Sequence, residues 1–287
     1  MKASRPGFAL RALNGEFGVE ALGVDAAVPL DGNTAAALRT AFERHRILVL
    51  RDQTLAPAAH VAVSRLFGEL EIHVLDQYHK AQYPEIFELS NLGPDGRPNA
   101  EHPDRGTLFW HTDASWQAEP ALATLLYAEQ VPANGGHTLF ADMIGAYEAF
   151  GAAERAHFAQ LRVRHDLHVS RLKAGYAGMT AAQREQRPPV EHPLVRVHPP
   201  SGRRAIYLGS HGQEIIGFTD LQSRGLIERI MNHCTEPRFV YDHAWRAGDL
   251  VMWDNRATVH RGTEYDTALE ARVVRRTVVK GEAVIAC

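Results

Sequence analysis

A mostly β fold with flanking helices is what this sequence predicts, and three observations carry the prediction. From about residue 86 onward, short apolar runs of strand length recur, among them "IFELSN", "TLLYAEQV", "HTLFAD", "LVRVH", "AIYLGS", "LVMWDN" and "RVVRRTVV". Gly, Pro and Asn signals separate these runs, and many short strands with turns between them make a β sandwich or barrel. Helical spacing is confined to a few stretches that precede or interrupt the strands.

In chain order, "FGVEALGVD" alternates apolar and polar residues and reads as a strand. "TAAALRTAFERHR" has helical spacing, with Thr34 as its N-cap. "ILVLRDQ" is a buried strand, and "APAAHVAVSRLFGEL" a second amphipathic helix with Pro57 in its first turn. Among the later strands, "DMIGAYEAFGAAERAHFAQL" is expected as one helix and "FTDLQSRGLIERIMNHCTE" as another. "KAGYAGMTAAQREQRPP" carries Gly and Pro and no steady period, so residues around 170–190 read as a long surface insertion, the kind of loop that serves as an active-site lid. Gly248-Asp249 makes a turn, Leu250 to Trp253 a strand, and Asp254-Asn255-Arg256 a turn before the strand with His260. No repeat, low-complexity tract or linker divides the chain, and residues 1–287 are expected to form one domain.

Composition excludes several function classes. A net charge of −3 with scattered basic residues gives no footprint for a nucleic acid. No apolar run is long enough to span a membrane, and the N-terminus lacks the pattern of a secretory signal, so a cytoplasmic protein is expected. Cys234 and Cys287 form neither a zinc knuckle nor a disulfide framework. The 16 histidines enlarge the pool of metal ligands, although most must be surface or core residues.

The segment "FWHTDASW" places His111 and Asp113 two residues apart among aromatic and small residues. A carboxylate there is costly to desolvate unless something pairs with it. In a strand the two side chains would project to one face and supply two donors of a non-haem iron site. A surface His and Asp beside a turn would give the same pattern, so a third donor is needed. His260, in "WRAGDLVMWDNRATVHRGTEYD", supplies a candidate. A double-stranded β-helix, a jelly roll of two facing sheets, can bring a central H-x-D and a late His together. Two His and one carboxylate leave one face of an octahedral metal free, as Fe(II) oxygenases require. Downstream, Arg272, Val274 and Arg276 would share one strand face, with Val273 and Arg275 on the other. Two arginines near a metal would bind carboxylates, while on a sheet edge they would only be solvated.

Together, "WHTD", "PANGGHTLFADM", "GDLVMWDNRATVHRGTEYD" and "RVVRRTVV" resemble the taurine/2,4-dichlorophenoxyacetate dioxygenase family, whose members depend on Fe(II) and 2-oxoglutarate. "FGELEIH" and "PLVRVHPPSGRRAIYLGSH" extend the resemblance over most of the chain. "LSNLGPDGRPN", "FADMIGAYEAF" and "FVYDHAWRAGDLVMWDNR" are most similar to its aryloxyacetate dioxygenase branch. The resemblance implies that His111, Asp113 and His260 bind iron. It implies that Thr138 and Arg272 hold the distal carboxylate of 2-oxoglutarate, and that Arg276 meets the anionic group of the substrate. His137 stands where the family often has Asp, and the interval from His260 to the arginines is one residue longer than usual. His73 matches a substrate-anion histidine, but Asp76 replaces the expected tyrosine and would repel a compact sulfonate; Tyr78 and His79 are nearby donors. Trp116 falls where an aromatic pocket wall is expected, Thr107 where another polar contact lies, and Arg171 and His211 in segments that flank the pocket. Trp110 and Trp253 read as core residues, and His165, His168, His192 and His198 lack a partner at ligand spacing.

The implied reaction is oxidative decarboxylation of 2-oxoglutarate by O₂, giving succinate and CO₂, coupled to hydroxylation of a small anionic substrate. An aryloxyalkanoate or an alkyl sulfate or sulfonate would then break at its C–O or C–S bond. A zinc hydrolase, a non-catalytic jelly-roll binding protein and a hydroxylase of a larger metabolite or amino acid are the competing readings. The arginine pair and Thr138 argue against the hydrolase, since attack by water needs no oxo-acid clamp. A homo-oligomer is expected.

Overall fold

The computed structural model describes residues 7–72, 79–80 and 82–287. In chain order it contains β1 (Ala9–Asn14), β2 (Phe17–Leu22), α1 (Gly32–His45), β3 (Ile47–Leu50), α2 (Pro57–Arg65), β4 (His79–Lys80), β5 (Tyr83–Ser90) and β6 (Ala123–Gln130). Next come β7 (Thr138–Asp142), α3 (Met143–Ala149), α4 (Ala152–Phe158), β8 (Arg162–His165), α5 (Leu167–Lys173), α6 (Ala181–Gln186), β9 (Val190–Pro193), β10 (Val195–Val197) and β11 (Arg204–Ile206). The chain closes with β12 (Gly212–Ile215), α7 (Asp220–Cys234), β13 (Val240–His243), β14 (Leu250–Asp254), β15 (Thr258–Gly262) and β16 (Val273–Val279).

Eight strands form the large sheet, in the order β1-β2-β3-β14-β6-β16-β5-β4. A smaller sheet, β13-β7-β15, carries His260. Strand alternation sorts side chains into layers. Leu48 and Leu50 of β3, Leu250 and Met252 of β14, and Leu125 and Tyr127 of β6 join one core with Leu38 and Phe42 of α1 and Val61 of α2. Their neighbours Ile47, Val49, Val251, Trp253 and Leu126 point the other way, where Phe140 of β7 and Trp245 meet them. Behind the small sheet, Ala141 and Val259 pack with residues of α3, α7 and β8.

The predicted elements are present, with four corrections. The N-cap of α1 is Asp31, not Thr34: its carboxylate accepts from the Asn33 and Thr34 amides, and the Thr34 hydroxyl donates to it at 2.6 Å. The helix expected over "DMIGAYEAFGAAERAHFAQL" is two helices. Phe150 is extended, and Gly151 begins α4 with its N–H on the Glu154 carboxylate at 3.3 Å. Glycine is a poor interior helix residue, so the break falls where it costs least. The insertion around 170–190 is not without regular structure, because Thr180 caps the short helix α6 in a capping box with Gln183. Finally, His111 and Asp113 do not lie on a strand. His111 makes an isolated bridge to His260, and Asp113 opens a turn in which Ala114 has φ 57°.

Candidate active site

His111 and His260 exchange backbone hydrogen bonds of 2.9 and 2.8 Å, which fixes their rings 4.1 Å apart. The turn at Asp113 brings its carboxylate back to them, with one oxygen 3.9 Å from His111 Nε2 and the other 3.8 Å from His260 Nε2. These are too long for hydrogen bonds, so the three donors surround a point rather than bond to one another. Their ligand atoms all lie within 4.8 Å, and all three residues are buried. Gly209 lies directly against this loop: a Cβ there would stand 3.0 Å from His111 Cα.

A hydrogen-bond frame holds the donors. The Phe109 carbonyl accepts from His111 Nδ1 at 2.8 Å, so Nε2 keeps its lone pair. Thr124 on β6 donates to Asp113 Oδ2 at 2.6 Å, and Asn255 donates to Thr124 at 3.0 Å. The Asn255 side-chain oxygen accepts from the Asp113 amide at 3.2 Å and from Trp253 Nε1 at 3.1 Å. Thr112 completes the frame by donating to the Asn255 carbonyl at 2.7 Å. The Asp254-Asn255-Arg256 turn is held by side-chain hydrogen bonds: Asp254 accepts from the Arg256 amide and guanidinium and pairs with His198 at 3.0 Å.

Burial would raise the Asp113 pKa, but His260, Arg276, His111 and the Thr124 hydrogen bond hold it well below the carboxylate range. Burial, with His111 nearby, pushes the His260 pKa well down. The result is a carboxylate and a neutral imidazole, the protonation states a metal needs. The donor chemistry, two imidazole nitrogens and one carboxylate oxygen converging from buried positions, fits Fe(II).

A profile of the family described as "Taurine catabolism dioxygenase TauD, TfdA family" matches residues 9–278. The chain belongs to this TauD/TfdA family. It is 35% identical over 271 residues to the alpha-ketoglutarate-dependent 2,4-dichlorophenoxyacetate dioxygenase of Cupriavidus pinatubonensis, covering 91% of this chain and 94% of that one. It is 31% identical to the (S)-phenoxypropionate/alpha-ketoglutarate-dioxygenase of Sphingobium herbicidovorans, over 96% of both chains. The crystal structure of AAD-2 in complex with Mn(II) and N-oxalylglycine superimposes with a TM-score of 0.87 at 34% identity, covering 96% of this chain and 99% of that one. This TauD/TfdA chain is therefore a dioxygenase that uses Fe(II), 2-oxoglutarate (alpha-ketoglutarate) and O₂.

The remaining expected site residues of this TauD/TfdA dioxygenase fall as follows. On β16, Val274 pairs with Leu89 and Arg276 with Phe87, and these partners face the inner core. Arg276 reaches 3.6 Å from Asp113 Oδ1 and covers the Phe87 ring. Arg275 points the opposite way, to Glu129 at 2.7 Å and to the Tyr127 ring. Arg272 lies just before β16, opposite Asn91, which bonds to it through side chain and backbone. Burial lowers the Arg272 pKa, and among the described residues no acid pairs with it. Thr138 begins β7 beside Gly262 of β15, and its hydroxyl oxygen accepts from Trp245 Nε1 at 2.9 Å.

Thr107 sits in a 3-10 turn over Arg105–Leu108 and donates its hydroxyl proton to the Asp104 carbonyl at 2.6 Å. The Arg187 guanidinium lies over the Trp116 ring at 5.3 Å. Arg171, on α5, lies over the Tyr176 ring at 5.0 Å, and the Tyr176 hydroxyl donates to Asp104 Oδ1 at 3.0 Å. His211 bonds through Nδ1 to Ser170 at 2.8 Å. Burial and the nearby His111 lower its pKa to about 3. His73, Asp76 and Tyr78 lie outside the described residues. Trp253 is a core residue as expected, while Trp110 is only partly buried, beneath the Arg261 guanidinium. His165, His168, His192 and His198 are engaged by Ser115, the Met179 amide, the Gln117 carbonyl and Asp254, away from ligand duty.

Sequence reasoning missed Thr124, Trp245 and Ser170. Ser170 and Trp245 lie 41 and 107 residues from the partners they support, and Thr124 lies 11 residues from Asp113 on another element, so none of these hydroxyl or indole groups carries a local signal of its buried partner.

Proposed function

We propose that this dioxygenase hydroxylates small aryloxyalkanoates at the carbon between the ether oxygen and the carboxylate. The single observation that carries the reading is the pairing of the buried His111–Asp113–His260 set with a guanidinium, Arg276, 3.6 Å from Asp113 on the inner face of β16. The named functions of the relatives above support the substrate class. The two facing sheets are read as a double-stranded β-helix that holds these groups from opposite sides, within one domain.

In this reading His111, Asp113 and His260 hold Fe(II), and Fe(II) supplies the oxidation of 2-oxoglutarate by O₂ that inserts oxygen into a C–H bond. Arg272 and Thr138 fix the distal carboxylate of 2-oxoglutarate, and hydrogen-bonded bidentate geometry suits a guanidinium to that task. Arg276 takes the substrate carboxylate. His211 is neutral at neutral pH and supplies a hydrogen bond rather than charge, so the attraction for the anion comes from Arg276 and Arg171. Trp116 and Thr107 line the approach, with His73 as a further contact. The segment around 170–190 covers the pocket, tied to the loop before His111 through Tyr176. Hydroxylation at the ether carbon gives a hemiacetal. Its hydroxyl proton passes to the ether oxygen as the C–O bond breaks, releasing a phenol and a 2-oxo acid.

The test is a succinate-release and O₂-uptake screen of anaerobically iron-loaded protein with aryloxyacetates, aryloxypropionates, alkyl sulfates, taurine and amino acids. Aryloxyalkanoates should give stoichiometric succinate and phenol. Turnover confined to sulfates or to amino acids would overturn the substrate assignment.

A further inference from the structure

Tyr265 sits on the loop that joins β15, which carries His260, to β16 and its arginines. Its hydroxyl is buried and has no hydrogen-bond partner among the described residues. A buried hydroxyl without a partner is costly, and such a group in a site usually awaits one. Its ring lies 5.8 Å from that of His102. Asn91 ties this loop to Arg272, accepting from the Arg272 amide at 2.7 Å and donating from its side chain to the Thr267 carbonyl at 3.2 Å, and the Arg272 charge acts on both Tyr265 and His102.

The neighbouring backbone is built to bring this loop close to Thr138. The Thr263 amide donates to the His137 carbonyl at 2.9 Å, and the Gly136 amide to the Glu264 carbonyl at 3.2 Å. Gly135 and Gly136 have φ of 73° and 64°, and a Cβ on Gly135 would stand 2.4 Å from the Glu264 carbonyl oxygen. "PANGGHT" therefore lets the Tyr265 loop lie against the strand that begins at Thr138.

A count of protons then singles out Tyr265. Thr138 accepts from Trp245, so its own hydroxyl proton remains available. Arg272 has no acid among the described residues, and burial lowers its pKa, so an anion is needed to offset its charge. Among the described residues the Tyr265 O–H is unused. His102 Nδ1 already accepts from the Asp104 amide, and burial together with Arg272 keeps that ring neutral.

We propose that Tyr265 donates a hydrogen bond to the distal carboxylate of bound 2-oxoglutarate, as a third donor beside Arg272 and Thr138. It is a positioning residue for the co-substrate, and the inference rests on the 2-oxoglutarate site proposed above.

The test is calorimetric titration of Mn(II)-loaded wild type and Tyr265→Phe with 2-oxoglutarate and with 2-oxovalerate, which keeps the 2-oxo acid but lacks the distal carboxylate. Phenylalanine keeps the ring and its packing against His102. The 2-oxoglutarate Kd should rise about ten- to a hundredfold in the variant, as for loss of one hydrogen bond to a charged group. The 2-oxovalerate Kd should stay within about twofold, whereas the 2-oxoglutarate KM at saturating substrate should rise in step with the 2-oxoglutarate Kd. Unchanged 2-oxoglutarate affinity, with Arg272→Ala losing it, overturns the role of Tyr265 alone. Equal loss for both ligands shows that the hydroxyl only supports the fold, a conclusion a lowered melting temperature would reinforce. A wild type that binds no 2-oxoglutarate overturns the site as well as the inference.

Discussion

The Arg276 guanidinium lies 3.6 Å from the Asp113 carboxylate, so the residue assigned to the substrate anion also touches a metal donor. Arg272, by contrast, is set against Asn91 just before that strand begins. This separation gives a direct test of the two roles. Arg272→Ala should raise the 2-oxoglutarate KM by roughly 30- to several-thousand-fold, for a loss of ~2–5 kcal/mol when a buried charge loses its partner. Arg276→Ala should chiefly raise the KM for the primary substrate and leave substrate-free decarboxylation of 2-oxoglutarate in place. Lysine should restore little at either position, since it lacks the planar fork. The opposite pattern of KM changes would exchange the two roles.

His111→Ala and His260→Ala should each abolish turnover and weaken Fe(II) binding, because each removes a donor from a set of three. Equilibrium dialysis with Fe(II) under argon, alongside O₂ uptake, reads both effects. Near-normal uptake in either variant is the result that would exclude this metal site.

Thr124→Val keeps the shape of the side chain but removes the 2.6 Å hydrogen bond to Asp113. Loss of such a support around a metal ligand should weaken metal binding by about 10–100-fold. Asn255→Ala should act in the same direction, since Asn255 holds both Thr124 and the Asp113 amide. Competition with a colorimetric chelator measures the change, and unaltered metal affinity in both variants would assign the frame to folding alone.

Anaerobic protein with Fe(II) should develop a weak visible charge-transfer band when 2-oxoglutarate is added, as bidentate chelation by a 2-oxo acid requires. The band should titrate with the same Kd as calorimetry. Its absence at saturating 2-oxoglutarate would mean that the co-substrate does not chelate the metal.

Asp254 contributes an acid-sensitive part of the stability. Burial opposes its ionisation, but Arg256 and His198 hold its pKa well below the usual carboxylate range. Because the folded value is the lower one, its contribution is present above the unfolded pKa of about 4 and is lost as pH falls below that. Asp254→Asn should cost about 3–5 kcal/mol at neutral pH by leaving Arg256 without its charge partner. It should also flatten the fall in stability below about pH 4, and urea unfolding of the metal-free protein across that range is the measurement.

The sequence by itself determined the strands and helices whose cause is local. Alternation in "FGVEAL" and "RVVRRTVV", the apolar run "ILVL" and Pro57 at the first turn of α2 act within a few residues, and each element formed where those signals stood. The motifs around His111 and His260 were equally legible, because the donors and their short intervals are read along the chain. Tertiary structure decided the rest. The reciprocal backbone bonds of His111 and His260, not a strand, align the donors. Thr124 reaches Asp113 only because β6 lies in the large sheet beneath the H-x-D turn, and Arg276 faces the metal donors only because β16 pairs Val274 and Arg276 with the inward-facing Leu89 and Phe87. The approach of two loops set the Tyr265 ring beside His102, with a hydroxyl that has no partner among the described residues. Sheet register and loop contact join residues far apart in the chain, and their cost and gain depend on partners that no local pattern encodes.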